Sequence, residues 1–189
     1  MSADRDQVSA SPTIFTVGHG TRPVEDLIEQ LHAASVLRLV DVRSAPGSRR
    51  NPQYGREMLA ASLTSADVAY EWRGEDLGGF RRAQPDSPHL ALRNDSFRGY
   101  ADYMDSSAFA GGIDWLVQTS TATPSAIMCA EVPWWRCHRS MIADALLARG
   151  CLVIHLLGER RQEHRLHPNA RLEGTRVVYD VGDQASLDV

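Results

Sequence analysis

No lysine occurs among the 189 residues: all twenty positions counted as lysine or arginine are arginine. That absence excludes a Walker A phosphate loop, whose lysine reaches the terminal phosphates, and any Schiff base on a lysine amine, pyridoxal phosphate chemistry included. Long apolar runs are missing as well. Nothing approaches the roughly 18 apolar residues that a membrane-spanning helix needs, and the opening Met1-Ser2-Ala3-Asp4-Arg5-Asp6 lacks the basic-then-apolar pattern of a secretory signal. A cytoplasmic protein with no membrane partner is therefore expected. Cysteine is scarce and odd in number, Cys129, Cys137 and Cys151, so the three read as thiols in a reducing compartment rather than as a disulfide scaffold. A net charge of -4 and a pI near 6.0 argue against a general electrostatic grip on duplex nucleic acid, although local arginine clusters can still take phosphate.

What is present is the length and the 43% hydrophobic content of one ordinary domain. Residues 1–12 are polar and without pattern, an expected loose arm. Strand-like runs at Thr13–Val17, Val36–Val40, Val68–Trp72, Ser125–Ala130 and Cys151–Leu157 alternate with segments of helical spacing. Those helices are expected after Thr21, over Arg56–Leu63, as two segments within 95–120, and over Ser140–Arg149, the last closed by Gly150. Alternation of this kind predicts an α/β fold: a mostly parallel, twisted, Rossmann-like sheet of about five strands with helices on both faces, spanning residues 13–170 as a single domain. Residues 171–189 read as a polar tail with an edge strand at Arg176–Tyr179. The segment 74–94, rich in Gly, Pro, Arg and Asp, is a long loop of the sort that usually serves function.

In an open parallel sheet the ligand crevice lies beyond the carboxyl ends of the strands. Three loops leave such ends with reactive groups: His19 after the first strand, Asp41 and Arg43 after the second, and Glu131 with Cys137, His138 and Arg139 after the fourth. Cys137 stands just before a helix and beside two cationic side chains, which favours its thiolate and makes it a nucleophile candidate. Cys129 and Cys151 read as packing. Asp41 and Glu131 are candidates for an acid/base pair of carboxylates. Arg43, Arg139, Arg50 and Arg98 are candidate phosphate contacts, with Tyr54 and Trp134 as stacking surfaces for a base. A phosphatase-type loop between Cys129 and Arg136 fails on spacing, with six intervening residues instead of five and Pro133-Trp134-Trp135 where glycines would be needed. Cys129, Glu131, Cys137, His138 and His19 include suitable metal donors, but no C-x-x-C or H-x-x-x-H pair is present. No metal and no cofactor is expected.

The ordered motifs Thr16-Val-Gly-His19, Leu39-Val-Asp-Val-Arg43, Leu77-Gly-Gly79, Cys129-Ala-Glu131 and Cys137-His-Arg139 resemble those of the bacterial Domain of Unknown Function 488 family. The resemblance extends over roughly residues 13–170 and takes in Phe97–Tyr103, Ile142-Ala-Asp144 and His164; it departs at Gly20, where the family commonly has serine. It implies a compact α/β domain with a shared polar site at His19, Asp41, Arg43, Glu131, Cys137, His138 and Arg139, and it implies no reaction. The leading expectation is an enzyme acting hydrolytically on a nucleotide or nucleic-acid component. Cleavage of an N-glycosidic bond, as in a DNA glycosylase, is one form, with Glu131 or Asp41 handling protons and water. The alternatives are a sulfur-transfer or redox protein working through Cys137, and a non-catalytic module that binds nucleic acid or protein.

Overall fold

The structure, a computed structural model, describes residues 12–47 and 49–182; residues 1–11 of the expected arm lie outside it. Chain order is β1 (Thr13–Gly18), α1 (Val24–Ala33), β2 (Arg38–Asp41), α2 (Arg56–Thr64), β3 (Ala69–Trp72), α3 (Asp95–Met104), α4 (Ser107–Ala122), β4 (Ser125–Cys129), α5 (Arg139–Leu147), β5 (Leu152–Leu157), β6 (Arg160–Glu163), β7 (Ala170–Glu173) and β8 (Arg176–Tyr179). Six strands form one sheet in the order β3-β2-β4-β1-β5-β6, parallel throughout except that β6 runs antiparallel to β5. This is the Rossmann-like α/β arrangement expected, with one strand more.

Alternation along the strands builds a core on each face. Ile14, Val40, Val42, Ile127, Cys129 and Val153 face α3, α4 and α5, while Phe15, Val17, Leu39, Ala126, Met128 and Leu156 face α1 and α2. The period of two along each strand separates these sets, and the same rule sorts the polar residues at the strand ends. Helix caps follow the chemistry of the sequence: Asn94 accepts from Ser96 N and Phe97 N at the start of α3, and Ser106 caps α4 through Phe109 N. Thr21 does not cap α1, which begins after Pro23 with no side-chain cap.

The tail departs from expectation. Arg176–Tyr179 does not join the sheet edge; it pairs with β7 as a two-stranded antiparallel ribbon. Val177 and Tyr179 belong to the α3–α5 core, with Tyr179 fully buried. The domain therefore runs to at least residue 180, because removing β8 would open that core. Among the described residues no helix is long and apolar enough to cross a membrane.

Candidate functional site

β2, β4 and β1 are immediate neighbours in the sheet, so the three loops that carry reactive groups leave one rim side by side. The strand-end registers are tight: His19 N donates to Cys129 O at 3.0 Å and Val42 N to Met128 O at 3.0 Å. Gly18 allows this closeness, because a Cβ there would meet the Glu131 carbonyl oxygen at 2.0 Å. A cavity of about 420 Å³ opens at this rim on the α3–α5 side, with Cys129, Cys137, His138, Glu131, Arg43 and Phe80 in its wall.

Its floor is a cluster of sulfur and nitrogen. Cys129 Sγ, Cys137 Sγ and a ring nitrogen of His138 all lie within 4.8 Å of one another. His138 Nε2–H donates to the Val42 carbonyl at 3.1 Å, which turns Nδ1 toward Cys137 Sγ, 3.6 Å away. Val42 thus orients the ring, with Nδ1 as the nitrogen that faces the sulfur. Arg139 Nε donates to the same sulfur at 3.5 Å, and its Nη2 donates to the Glu131 carbonyl.

Arg139 adds a buried positive charge beside the Cys137 sulfur. It is 1% exposed, and no carboxylate among the described residues forms an ion pair with it. A buried guanidinium needs a counter-charge, and among the described residues the Cys137 sulfur is the hydrogen-bond partner of Arg139 that can supply one. The Cys137 thiol is held far below the ordinary thiol range, chiefly by the hydrogen bond from Cys129, then by His138 and least by Arg139, against the cost of burial. Cys129 is pushed the opposite way, since its proton is shared with Cys137 and its sulfur is buried. One thiolate and one thiol, paired by a proton, share the floor.

A soft cation would need both sulfurs ionised. Here the Cys129 proton is held, and a guanidinium already sits 3.5 Å from the Cys137 sulfur. A metal ion at Cys129, Cys137 and His138 would have to displace that proton and that guanidinium.

Arg43 hangs on a built frame. Its Nε and Nη2 bind the two oxygens of Asp41 at 2.8 and 2.5 Å, Nη2 also donates to Tyr54 O at 2.9 Å, and Nη1 donates to His19 Nε2 at 3.2 Å. Four of its five N–H groups are thereby used, and the remaining one, on Nη1, is left for the cavity. His19 is fixed as acceptor because its Nδ1–H donates to Gly20 O at 2.8 Å. Burial, with Arg43 next to it, lowers its pKa to about 4, so His19 stays neutral.

Several expected roles change. Asp41 is fully buried, and its oxygens are taken by Arg43 and by Tyr70 OH at 2.8 Å; it sits on the α1/α2 side of β2, opposite to Cys129. The acid/base pair of Asp41 and Glu131 is therefore not formed, and Glu131 lines the cavity alone. His19 is an orienting group for Arg43 and is not part of the cavity wall. Tyr54 is fully buried with its ring stacked on His19 at 3.9 Å, so it offers no face to a ligand. Arg139 acts beneath the cavity, through Cys137. Trp134 stacks on His155 at 4.0 Å, away from the thiols. Arg98 lines a neighbouring cavity, and Arg50 is exposed in the loop after β2. Cys129, read from the sequence as packing, is a partner of Cys137. Strand alternation was the available signal, since Ile127 and Cys129 share the face that α5 covers.

The remaining family-like residues form a second, closed network. Thr16 Oγ1–H donates to His155 Nδ1 at 2.7 Å, His155 Nε2–H to His164 Nδ1 at 3.0 Å, and His164 Nε2–H to Asp144 Oδ1 at 2.8 Å; Tyr179 OH donates to Asp144 Oδ2 at 2.8 Å. The chain of bonds ends on Asp144, which ties α5 to β8. Burial lowers the His155 pKa to about 3.

No curated protein and no solved structure matches the chain. The motif residues that build the thiol cluster, the Arg43 frame and the Asp144 network nevertheless lie largely within one stretch recognised by a family model. That model, described as Domain of unknown function DUF488, matches residues 23–146, well over half of the chain, and the protein belongs to this family.

Proposed function

We propose that the protein is a thiol-dependent enzyme in which Cys137 is the attacking thiolate and Cys129 the resolving thiol. The observation that carries this reading is the pairing of Cys137 with a buried, carboxylate-free Arg139 at the floor of an open cavity. A thiolate so placed is ionised at neutral pH without a metal. Its suitable substrates are sulfur electrophiles. Cys137 Sγ attacks one sulfur of a substrate disulfide, the S–S bond breaks, and the leaving thiolate takes the proton of Cys129. Cys129, now a thiolate, attacks Cys137 Sγ; the second substrate sulfur leaves as a thiolate and is protonated by water, and an external dithiol reduces the resulting Cys129–Cys137 disulfide. Two cysteines are oxidised for each substrate disulfide reduced. A cytoplasmic location suits this cycle, because it supplies the reductant.

Alkylation with iodoacetamide, followed by intact mass, tests the reading. Cys137 should react at a rate nearly constant from pH 5.5 to 8 and be first of the three cysteines. A rate that tracks an ordinary thiol, falling about tenfold per pH unit below roughly 8.5, overturns it.

Hydrolysis of a nucleotide component is the second reading, favoured by Glu131 standing in the same wall as Arg43 and Arg136. Glu131 would activate water there. Glu131→Gln should then abolish turnover and leave thiol alkylation unchanged, whereas under the thiol reading alkylation and disulfide exchange both survive it.

A further inference from the structure

Directly beside the thiol cavity lies a second one of about 600 Å³, lined by Arg81, Arg82, Arg98, Gln84, Ser87 and Leu90 among others. The two hollows share Ser96. Consecutive residues of one loop divide them: Gly79 and Phe80 line the thiol cavity, Arg81 and Arg82 the neighbouring one. Arg81, Arg82 and Arg98 line it with a single carboxylate, Asp95, which Arg98 already pairs. The net charge of the hollow is therefore positive in a protein that is acidic overall, and guanidinium forks suit phosphate oxygens.

This wall is built in advance of any ligand. Gly99 of α3 lets the loop sit down on the helix, since a Cβ there would come within 2.5 Å of the backbone of Arg81, Arg82 and Ala83. Gln84 N donates to Asp102 Oδ2 at 2.7 Å, Arg81 Nη2 to Glu75 O at 2.8 Å, and the Arg81 guanidinium lies over the Tyr103 ring at 3.8 Å. Arg82 is exposed and, among the described residues, makes no hydrogen bond or ion pair, so its charge is uncommitted there.

Phe80 stands at the boundary. It is 91% exposed and holds a left-handed backbone, φ 56°, a conformation that costs a non-glycine residue free energy. An aromatic ring kept in water on strained backbone, between a reactive pocket and an arginine pocket, has the form of a stacking platform.

We infer that the paired hollows bind a nucleoside diphosphate or a molecule carrying one, with the flat base on Phe80, the phosphates among Arg81, Arg82 and Arg98, and the reacting end directed to the thiol cavity. The assignment concerns binding and holds whichever group performs the chemistry. Binding and thiol reactivity are separate measurements, so the two readings can fail independently.

Isothermal titration of the purified protein with ADP, adenosine, pyrophosphate and a 12-nucleotide single-stranded DNA tests it. ADP should bind saturably, with adenosine and pyrophosphate each at least tenfold weaker. Arg82→Met should weaken ADP and pyrophosphate by tenfold or more. Phe80→Ala should weaken ADP about fivefold or more and leave pyrophosphate unchanged. Both side chains are free of folding contacts, and an unaltered melting temperature would confirm folded variants. Absence of saturable ADP binding at millimolar concentration overturns the inference. So does ADP binding that neither substitution moves, adenosine binding as well as ADP, or binding of the DNA alone.

Discussion

Replacing Arg139 with methionine should raise the Cys137 pKa toward that of an ordinary thiol while leaving the protein folded. The guanidinium Nε lies 3.5 Å from the sulfur. At that separation two unit charges interact by about 1.2 kcal/mol in bulk water and about 4.7 kcal/mol at an effective dielectric near 20. Both groups are buried beside an open cavity, which places the pair between those limits, so the loss corresponds to a rise of about 1 to 3 pH units. Cys129 and His138 keep their own contacts with the sulfur and prevent a complete return. Folding should survive because the thiolate can take up a proton once its partner is gone, which leaves no unpaired charge in the interior. Methionine also restores most of the lost packing. The assay is the pH–rate profile of Cys137 alkylation, read by intact mass, with near-ultraviolet circular dichroism as the control for native packing. The wild-type profile should be flat between pH 5.5 and 8, and the variant should fall tenfold per unit below its new inflection. A variant inflection within about half a unit of the wild type would show that Arg139 is not the counter-ion, and the charge assignment of the site would fail with it.

The same group should make stability depend on pH. A thiol whose pKa is depressed on folding contributes stability that is present in full above its unfolded value, about 8.5, and is lost as pH falls toward its folded value. Urea unfolding should show the wild-type advantage over Cys137→Ser growing by about 1.4 kcal/mol per pH unit from pH 5.5 to 8; an advantage independent of pH would refute the ionised site. His19 and His155, held near 4 and 3 in the folded chain, should add acid lability, because unfolded histidines take up protons below about 6.5 and the folded ones do not. The urea midpoint should therefore fall steeply between pH 6.5 and 4.5. Asp144→Asn should cost about 3 kcal/mol, since the amide NH2 would face the donors of His164, His167 or Tyr179. For a chain of this size that is a drop of about 6 to 12 °C in melting temperature, and a change under 2 °C would exclude a structural role for the network. Gly18→Ala should displace the Glu131 carbonyl that its Cβ would strike, weakening Arg139 and slowing Cys137 alkylation at pH 6. An unchanged rate would separate the two loops.

Much of the architecture was legible along the chain because it is written in local periodicity. Runs such as Val36–Val40 and Ser125–Ala130 announce buried strands, and the alternating helices imply parallel pairing. The tail was misread for a physical reason: β8 is short, lies amid polar residues, and gains its place only by pairing with β7 and burying Tyr179 against α5. Within the site, Cys137, His138, Arg43 and Glu131 were recognisable by residue type and position after a strand. Asp41 was misassigned because carboxylate and arginine two residues apart at a strand end can either serve a ligand or pair with each other, and burial on the α1/α2 side selects pairing. Phe80 gave no local signal at all. Its exposure and its left-handed backbone come from how the loop is seated on Gly99.

The sequence by itself determined the class of the fold, the strand ends that carry chemistry, and the identity of a cysteine set before a helix between cationic neighbours. Those properties depend on spacing within a few residues. Tertiary structure alone decided that Cys129 meets Cys137, that Arg139 has no carboxylate and so takes the thiolate, and that Arg43 is held by Asp41 and His19 instead of being free. Cys129 meets Cys137 through the loop that leaves β4, and Arg43 meets His19 across the ends of β2 and β1. Charge in an interior is settled by which partners lie within a few ångströms, and strand order is what brings those partners together.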